Sequence, residues 1–337
     1  MKKVLIFSIM FCVLLSGVFA GGRAGRDAGD RVFNLRYAHV GIAGEIQTRF
    51  ADEFAYLVRQ RTNGRVNIQV FPNSQLGGAN EMVDAVRSGA ISMGHHDFAT
   101  LGRFYTDISV FNAPFIYRDG EHALAATNPR TSLALQRVNE GLVRSAGMRV
   151  IGSHYRGARH LSANFPVFSP DDLRGVRIRG TPVALWMSMI NGMGAIPTPI
   201  EITELYTALL TGVVAGQENP ITNIYVQRFH EVQSHIMLTG HMQAVLATFI
   251  NENVWQSLGP ENQQIMEDVM EEMALRTLQW TYEEEAPVIR AMKARGVTFI
   301  DEAAGLRNDL FRQSVNAQIA IDFPGWTSYI RDIQNMR

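Results

Sequence analysis

The chain has 337 residues, 46% of them hydrophobic and 19% charged, with a formal net charge of −1. That is ordinary globular composition, long enough for two lobes with separate cores. Near neutrality removes the electrostatic case for nucleic acid or an anionic membrane surface as a partner. In chain order, Lys2 and Lys3 precede a largely apolar run from Val4 to Val18, and Val18-Phe19-Ala20 fits small-residue cleavage. Residues 1–20 therefore read as an export signal cleaved near Ala20, and 21–31 as a flexible tether. An uncleaved anchor is the alternative. Lipidation at Cys12, the single cysteine, is opposed by the bulky Met10-Phe11 before it. Cleavage leaves a mature chain without thiol chemistry or disulfides.

Val32 to Tyr37 reads as a strand. Glu45 to Thr62 reads as a helix, with Ile46, Phe50, Phe54, Leu57 and Val58 on one face. Val66, Ile68 and Val70 alternate as a second strand, stopped by Pro72-Asn73. Asn80 to Ser88 is helical up to Gly89, and Ile91 to His96 is a third strand. Short strands follow at Arg149–Ser153, Gly175–Arg179, Ala195–Thr198 and Val245–Ile250, with helices at Val183–Asn191 and Glu201–Thr211. Alternating strands and helices with short breaks predict an α/β layer fold with parallel pairing. From Glu261 to Arg295 the pattern is helical for about 35 residues, roughly 50 Å of helix. Pro287 should bend this rod or split it in two.

Familiar catalytic signatures are missing. There is no Gly-x-Ser-x-Gly elbow, and no Walker loop is possible where the only lysine after Lys3 is Lys293. His230 and His235 are about 140° apart on a helix, so they cannot share a metal. His95-His96-Asp97 sits on a strand, where neighbours face opposite sides. One histidine packed in the wall, His96 or Asp97 facing a cleft, and a metal are the three readings of that cluster.

Two stretches bear on binding. In Asp172-Leu173-Arg174-Gly175-Val176-Arg177-Ile178-Arg179, Val176 and Ile178 share one strand face and Arg177 and Arg179 the other. Two strand arginines usually mark a solvated face. In Gly216-Gln217-Glu218-Asn219-Pro220, a polar Gln-Glu-Asn run at a strand end precedes a helix starting near Pro220, which would place side-chain donors at a cleft.

Together with Thr62-Asn63-Gly64-Arg65-Val66, Phe71-Pro72-Asn73-Ser74-Gln75-Leu76-Gly77, Arg156-Gly157-Ala158-Arg159-His160 and Leu205-Tyr206-Thr207-Ala208-Leu209, these stretches form an ordered series along nearly the whole mature chain. The series resembles the solute-binding proteins of tripartite ATP-independent periplasmic (TRAP) transporters. The resemblance implies a two-lobe α/β periplasmic binding protein fold, with crossing strands and a long helix spanning both lobes. Lobe I would comprise 32–156 with 245–284, and lobe II 157–244 with 285–337.

The implied function is capture of a small organic acid (a C4-dicarboxylate, hydroxy acid or sugar acid) in the interlobe cleft and delivery to the transporter's membrane subunits. The implied setting is the periplasm, and the implied form a monomer without catalysis, cofactor or metal. Presentation of the ligand to a sensory receptor, or a secreted enzyme acting on an organic acid, are the alternatives. By the same resemblance Arg179 forms the carboxylate salt bridge, Arg159 is a second contact, and Asn219 helps fix the carboxylate. Asp97 meets the far end of the ligand, with His96 and Glu218 as further candidates. Departures at Ala215, Ile202 and Gly180-Thr181-Pro182 bear on which acid is bound.

Overall fold

The computed structural model describes residues 31–336. The expected export signal, Cys12 and all of the tether except Arg31 lie outside the described residues. Strand β1 (Phe33–Ala38) turns Leu35 and Tyr37 inward. Helix α1 (Ile46–Arg61) lays Phe50, Phe54 and Val58 along one buried stripe at fourfold spacing. β2 (Val66–Phe71), α2 (Ala79–Ser88) and β3 (Met93–Asp97) complete a first α/β unit in which β1 runs parallel to both β2 and β3. Three helices follow: α3 (Phe98–Leu101), α4 (Gly120–Ala126) and α5 (Leu133–Ala146).

The long strand β4 (Met148–Ala163) then leads to β5 (Arg177–Gly180), α6 (Ala184–Gly192) and β6 (Ile196–Pro199). Next come α7 (Ile202–Leu210), β7 (Gly216–Pro220) and α8 (Ile221–Val226). A second long strand, β8 (His235–Asn251), runs directly into α9 (Glu252–Ala294). The chain closes with β9 (Thr298–Ile300), α10 (Asn308–Asp322) and α11 (Thr327–Gln334). The strands form one sheet in the order β2-β1-β3-β8-β4-β7-β5-β6, with β9 added to β8. Parallel pairs flank an antiparallel centre: β3 joins the last residues of β8, and β7 joins the last residues of β4. The crossing pair β4–β8 therefore carries both flanks of the sheet.

Both long strands exceed the sequence expectation, which marks only Arg149–Ser153 and Val245–Ile250. The physical reason is an irregular register. Tyr155 opposes Val245 and Ala158 opposes Gln243, so Arg156 and Gly157 share one partner position. This is a β-bulge, and Gly157 takes a φ of 111° that other residues adopt only with strain. Side-chain alternation breaks there, so the period-two pattern fades from the sequence although the strand continues.

Helix α9 breaks at Gly259, not at Pro287. Gly259 leaves helical geometry with φ 75°, and Pro260 restarts the helix at a position where no amide donor is needed. Pro287 lies in unbroken helix, which corrects the expected interruption. It is exposed, as is Glu283 one turn earlier, so the carbonyl that loses its donor faces water. Met266, Met270, Met273, Thr277 and Trp280 form the buried stripe of α9. The Tyr155 N–H at the bulge donates to Thr277 Oγ1 at 3.3 Å, which ties the helix to the irregular part of β4. Gly152 admits the same helix closely: a Cβ there would lie 1.9 Å from Met270 Cγ. At the far end of the chain, α10 packs on α6. α11 returns to the first half, where Ile333 O lies 2.9 Å from His122 Nε2 and Gln334 O accepts from Arg118 at 3.2 Å.

Candidate functional site

The polar side chains of the two flanks meet where the crossing strands are irregular. β3 ends at Asp97, and its last residues His96 and Asp97 reach a small cavity. Gln47 from the start of α1 and Val40 beside it complete that side. The opposite wall carries Arg159 and Arg156 from β4, Arg179 from β5, Thr181, Asn219 from β7, and Asn223 from α8. Regular alternation would send Arg156 and Arg159, three apart, to opposite faces. The extra residue at the bulge brings both to the cavity.

Arg159 is held rather than free. Its Nε donates to Glu218 Oε2 at 2.5 Å, and its Nη2 donates to Glu218 Oε1 at 2.7 Å and to Asn219 Oδ1 at 3.1 Å. Glu218 also accepts from Trp186 Nε1 at 2.7 Å and pairs with His241 Nε2 at 3.0 Å. Burial alone would raise the Glu218 carboxyl, but the Arg159 charge and hydrogen bonds, with His241, hold it well below the usual carboxylate range. Glu218 is fully buried and stands behind Arg159, outside the cavity wall. The sequence makes it a ligand candidate; in the structure its acceptor sites are taken up by neighbours, and it orients the Arg159 guanidinium.

Arg179 differs. Its Nε donates to the Ile200 carbonyl at 2.7 Å, which fixes the plane of the guanidinium. Among the described residues no carboxylate lies within ion-pairing distance of it, and its terminal nitrogens have no hydrogen-bond partner. Burial lowers its pKa to about 10, with Glu218 opposing that shift and Arg159 adding to it. It stays charged at neutral pH. Arg156, which the sequence reading did not single out, is also buried; its Nη1 is 3.9 Å from Glu45 Oε2. Glu45 in turn accepts from Gln47 and, at 2.6 Å, from Gln227 Nε2, which links the start of α1 to the residue after α8.

His95 and His96 separate as strand neighbours should. His95 is packed in the interior, 2.7 Å from the Tyr37 hydroxyl and 3.2 Å from Gln47 Oε1. Stacking with His39 at 4.6 Å completes its surroundings. His96 lines the cavity, lowered to about 4 by burial and therefore neutral. Asp97 joins it because the strand ends there. Its Oδ2 is 3.5 Å from His96 Nδ1, and its buried Oδ1 has no partner among the described residues. Arg159 Nη1, Arg156 Nε, His96 Nδ1 and Asn223 Oδ1 are buried without partners in the same way.

Such an arrangement suits recognition of a small polar anion: fixed guanidinium forks on one side, mixed donors and acceptors on the other. A larger apolar groove of about 410 Å³ lies between α4, β4 and α9, but Arg130 at its rim is already paired with Asp268 and Glu271. It offers no free cation among the described residues.

Comparison with known proteins places this architecture. Residues 37–318 match the family described as bacterial extracellular solute-binding protein, family 7. A solute-binding protein of Verminephrobacter eiseniae is 30% identical over 85% of this chain and 82% of its own length. The C4-dicarboxylate-binding periplasmic protein of Rhodobacter capsulatus is 30% identical over 80% of each chain. Among solved structures, a TRAP periplasmic solute-binding protein of Actinobacillus succinogenes with bound L-galactonate superposes with a TM-score of 0.82 at 26% identity. It covers 90% of this chain and 100% of that one. The fold is thus the two-lobe fold with a long helix. The chain belongs to family 7 of the bacterial extracellular solute-binding proteins, the organic-acid receptors of TRAP transporters.

Proposed function

We propose that this protein captures a small organic acid between its lobes through Arg179 and releases it to the membrane subunits of a TRAP transporter. The observation that carries the reading is the state of Arg179: buried, plane fixed by Ile200 O, and with no carboxylate within ion-pairing distance among the described residues. A guanidinium so placed gains two parallel charge-assisted bonds from an incoming carboxylate. Arg159, aimed by Glu218, and Asn219 beside it would hold the second oxygen and the adjoining atoms. Asp97 and His96 would meet the far end.

The lobes on this reading follow the boundaries read from the sequence, except that 327–336 rides with the first lobe through its bonds to Arg118 and His122. Removal of residues 1–20 on export would leave the receptor in the periplasm. No helix among the described residues is long and apolar enough to cross a membrane. We read the protein as a receptor, not an enzyme, so NMR of a bound acid should show stoichiometric binding without turnover.

Titration calorimetry of Arg179→Lys tests the anchor. A point charge cannot reproduce the fork, and truncating one partner of a buried charge pair costs about 2–5 kcal/mol, roughly 30- to 5000-fold in affinity. A loss of at least about 30-fold is expected from Lys as well. Unchanged affinity would remove Arg179 from the site.

A further inference from the structure

We infer that Glu201 is a latch: it reaches from the second lobe to the start of α2 in the first, holds the cavity shut over a bound acid and sets how fast that acid leaves. This rests on the organic-acid reading and the lobe boundaries above. It adds to them a positioning residue that acts through a helix end.

Two helix starts carry the inference. Glu201 stands at the N-cap position of α7, yet its side chain makes no capping bond to its own helix. Helix α2 begins after Gly78, which has no side chain to offer. The first N–H groups of a helix lack intrahelical partners, and a side-chain oxygen at the cap usually meets them. Here the Ala79 N–H acts as a hydrogen-bond donor to the Glu201 carboxylate, so one helix borrows the cap residue of another. Gly78 leaves room for it: a Cβ there would lie 3.4 Å from Glu201 Cδ and 3.5 Å from its Oε2. A second contact lies in the same seam, where Asn80 Nδ2 donates to the Pro182 carbonyl at 3.4 Å. On the proposed boundaries α2 belongs to the first lobe and Pro182 and Glu201 to the second, so both contacts form only when the lobes are together.

The seam is tied to the anion anchor through the backbone. Pro182 follows Arg179 closely in the chain, and the carbonyl that holds Arg179 Nε belongs to Ile200, the residue before Glu201. Glu201 also lines the cavity, half-buried, and its carboxyl and the Arg179 guanidinium act on each other electrostatically. In an empty cavity Glu201 is drawn both to Arg179 and to the positive end of α2. A ligand carboxylate on Arg179 offsets the first attraction and repels Glu201 from that side. The α2 N-terminus is then its better partner, and occupancy of the anchor favours the latched arrangement.

The test is the association and dissociation rates of L-galactonate and D-glucuronate, by surface plasmon resonance on the mature protein, its Glu201→Ala variant and its Asn80→Ala variant. Glu201→Ala should speed dissociation about 5- to 30-fold, the effect of losing one cap. Association should stay level or rise, because a negative charge has left the cavity wall. A carboxylate that merely repelled the acid would give the opposite sign, with slower dissociation once it was removed. Ligand-free Tm should stay within about 1 °C of the parent, since Glu81 in the first turn of α2 remains beside Gly78. An equal loss of Tm with and without ligand would mark Glu201 as a plain structural cap and overturn the latch. Asn80→Ala changes no charge and should speed dissociation about twofold or more. Dissociation unchanged or slower in Glu201→Ala, or in Asn80→Ala should the first not fold, would overturn the latch and leave the organic-acid reading intact. Binding of neither acid by the parent, nor of any acid in a wider carboxylate panel, would instead sink that reading and the latch with it.

Discussion

Replacing Glu218 by Gln isolates the charge that orients Arg159 while preserving side-chain shape. Every neighbour of the Glu218 carboxylate is a donor: Arg159 at both oxygens, Trp186 at Oε1 and His241 at Oε2. An amide nitrogen placed at Oε1 would face both Arg159 Nη2 and Trp186 Nε1. Placed at Oε2 it would face Arg159 Nε, while His241 can change tautomer because the Thr239 hydroxyl at its Nδ1 can donate or accept. The variant should therefore adopt the second arrangement, lose one charge-assisted bond and leave a buried guanidinium without its counter-ion. Breaking a buried pair from one side costs about 3–5 kcal/mol. The retained oxygen places the expected loss near the lower figure, about 3 kcal/mol.

With an unfolding entropy of about 2.1 cal/mol/K per residue over roughly 300 residues, that loss lowers Tm by about 5 °C. Thermal unfolding of both proteins without ligand, by calorimetry or circular dichroism, reads the shift directly. Acid affinity measured in parallel should also fall, because Arg159 loses its aim. A Tm within about 1 °C of the parent would refute the claim that this carboxylate supports the buried guanidinium.

Two further outcomes follow from the same structure. Burial lowers His39 and His96 to about 4 and His160 to about 3, so the folded protein keeps these rings neutral where the unfolded chain binds protons near 6.5. Their contribution to stability is full above about pH 6.5 and is lost as pH falls toward 4; between pH 7 and 5 the three together cost roughly 5 kcal/mol. Tm should drop by about 8 °C over that interval, and a flat or rising Tm would contradict it. Gly152→Ala forces a methyl against Met270 and should destabilise by about 1–3 kcal/mol, read as a lower denaturation midpoint. Combined with Met270→Ala, which removes the obstructing side chain, the loss should be smaller than the sum of the two single changes, and strict additivity would mean that the clash lies elsewhere.

The elements with regular periodicity were legible in the sequence. The fourfold spacing of Phe50, Phe54 and Val58 and the alternation of Val66, Ile68 and Val70 correspond to α1 and β2 within a residue or two. The crossing strands were legible only where they alternate, because the bulge at Arg156-Gly157 and the register shift near His160 erase the period. The same irregularity hid Arg156, whose spacing from Arg159 argues for opposite faces in any regular strand. Gln47 and Gln227 could not be found from local pattern at all. They reach the cavity through packing of α1 and α8, helices remote from each other in the chain. The polar run Gln217-Glu218-Asn219 makes Glu218 a ligand candidate, yet adjacent strand residues point to opposite sides and it is Asn219 that lines the cavity. Alternation alone would have sent it backward, toward Trp186 and His241.

The bulge in β4 has a consequence for insertions and deletions. Trimming one residue between Tyr155 and Ala158 would shorten no loop and open no gap in the core. It would slip the strand by one tooth, so that Arg156 and Arg159 parted company and one of the two guanidiniums swung away from the cleft. On the proposed function, the grip on an anion thus depends on an uneven residue count in a strand as much as on the identity of its side chains.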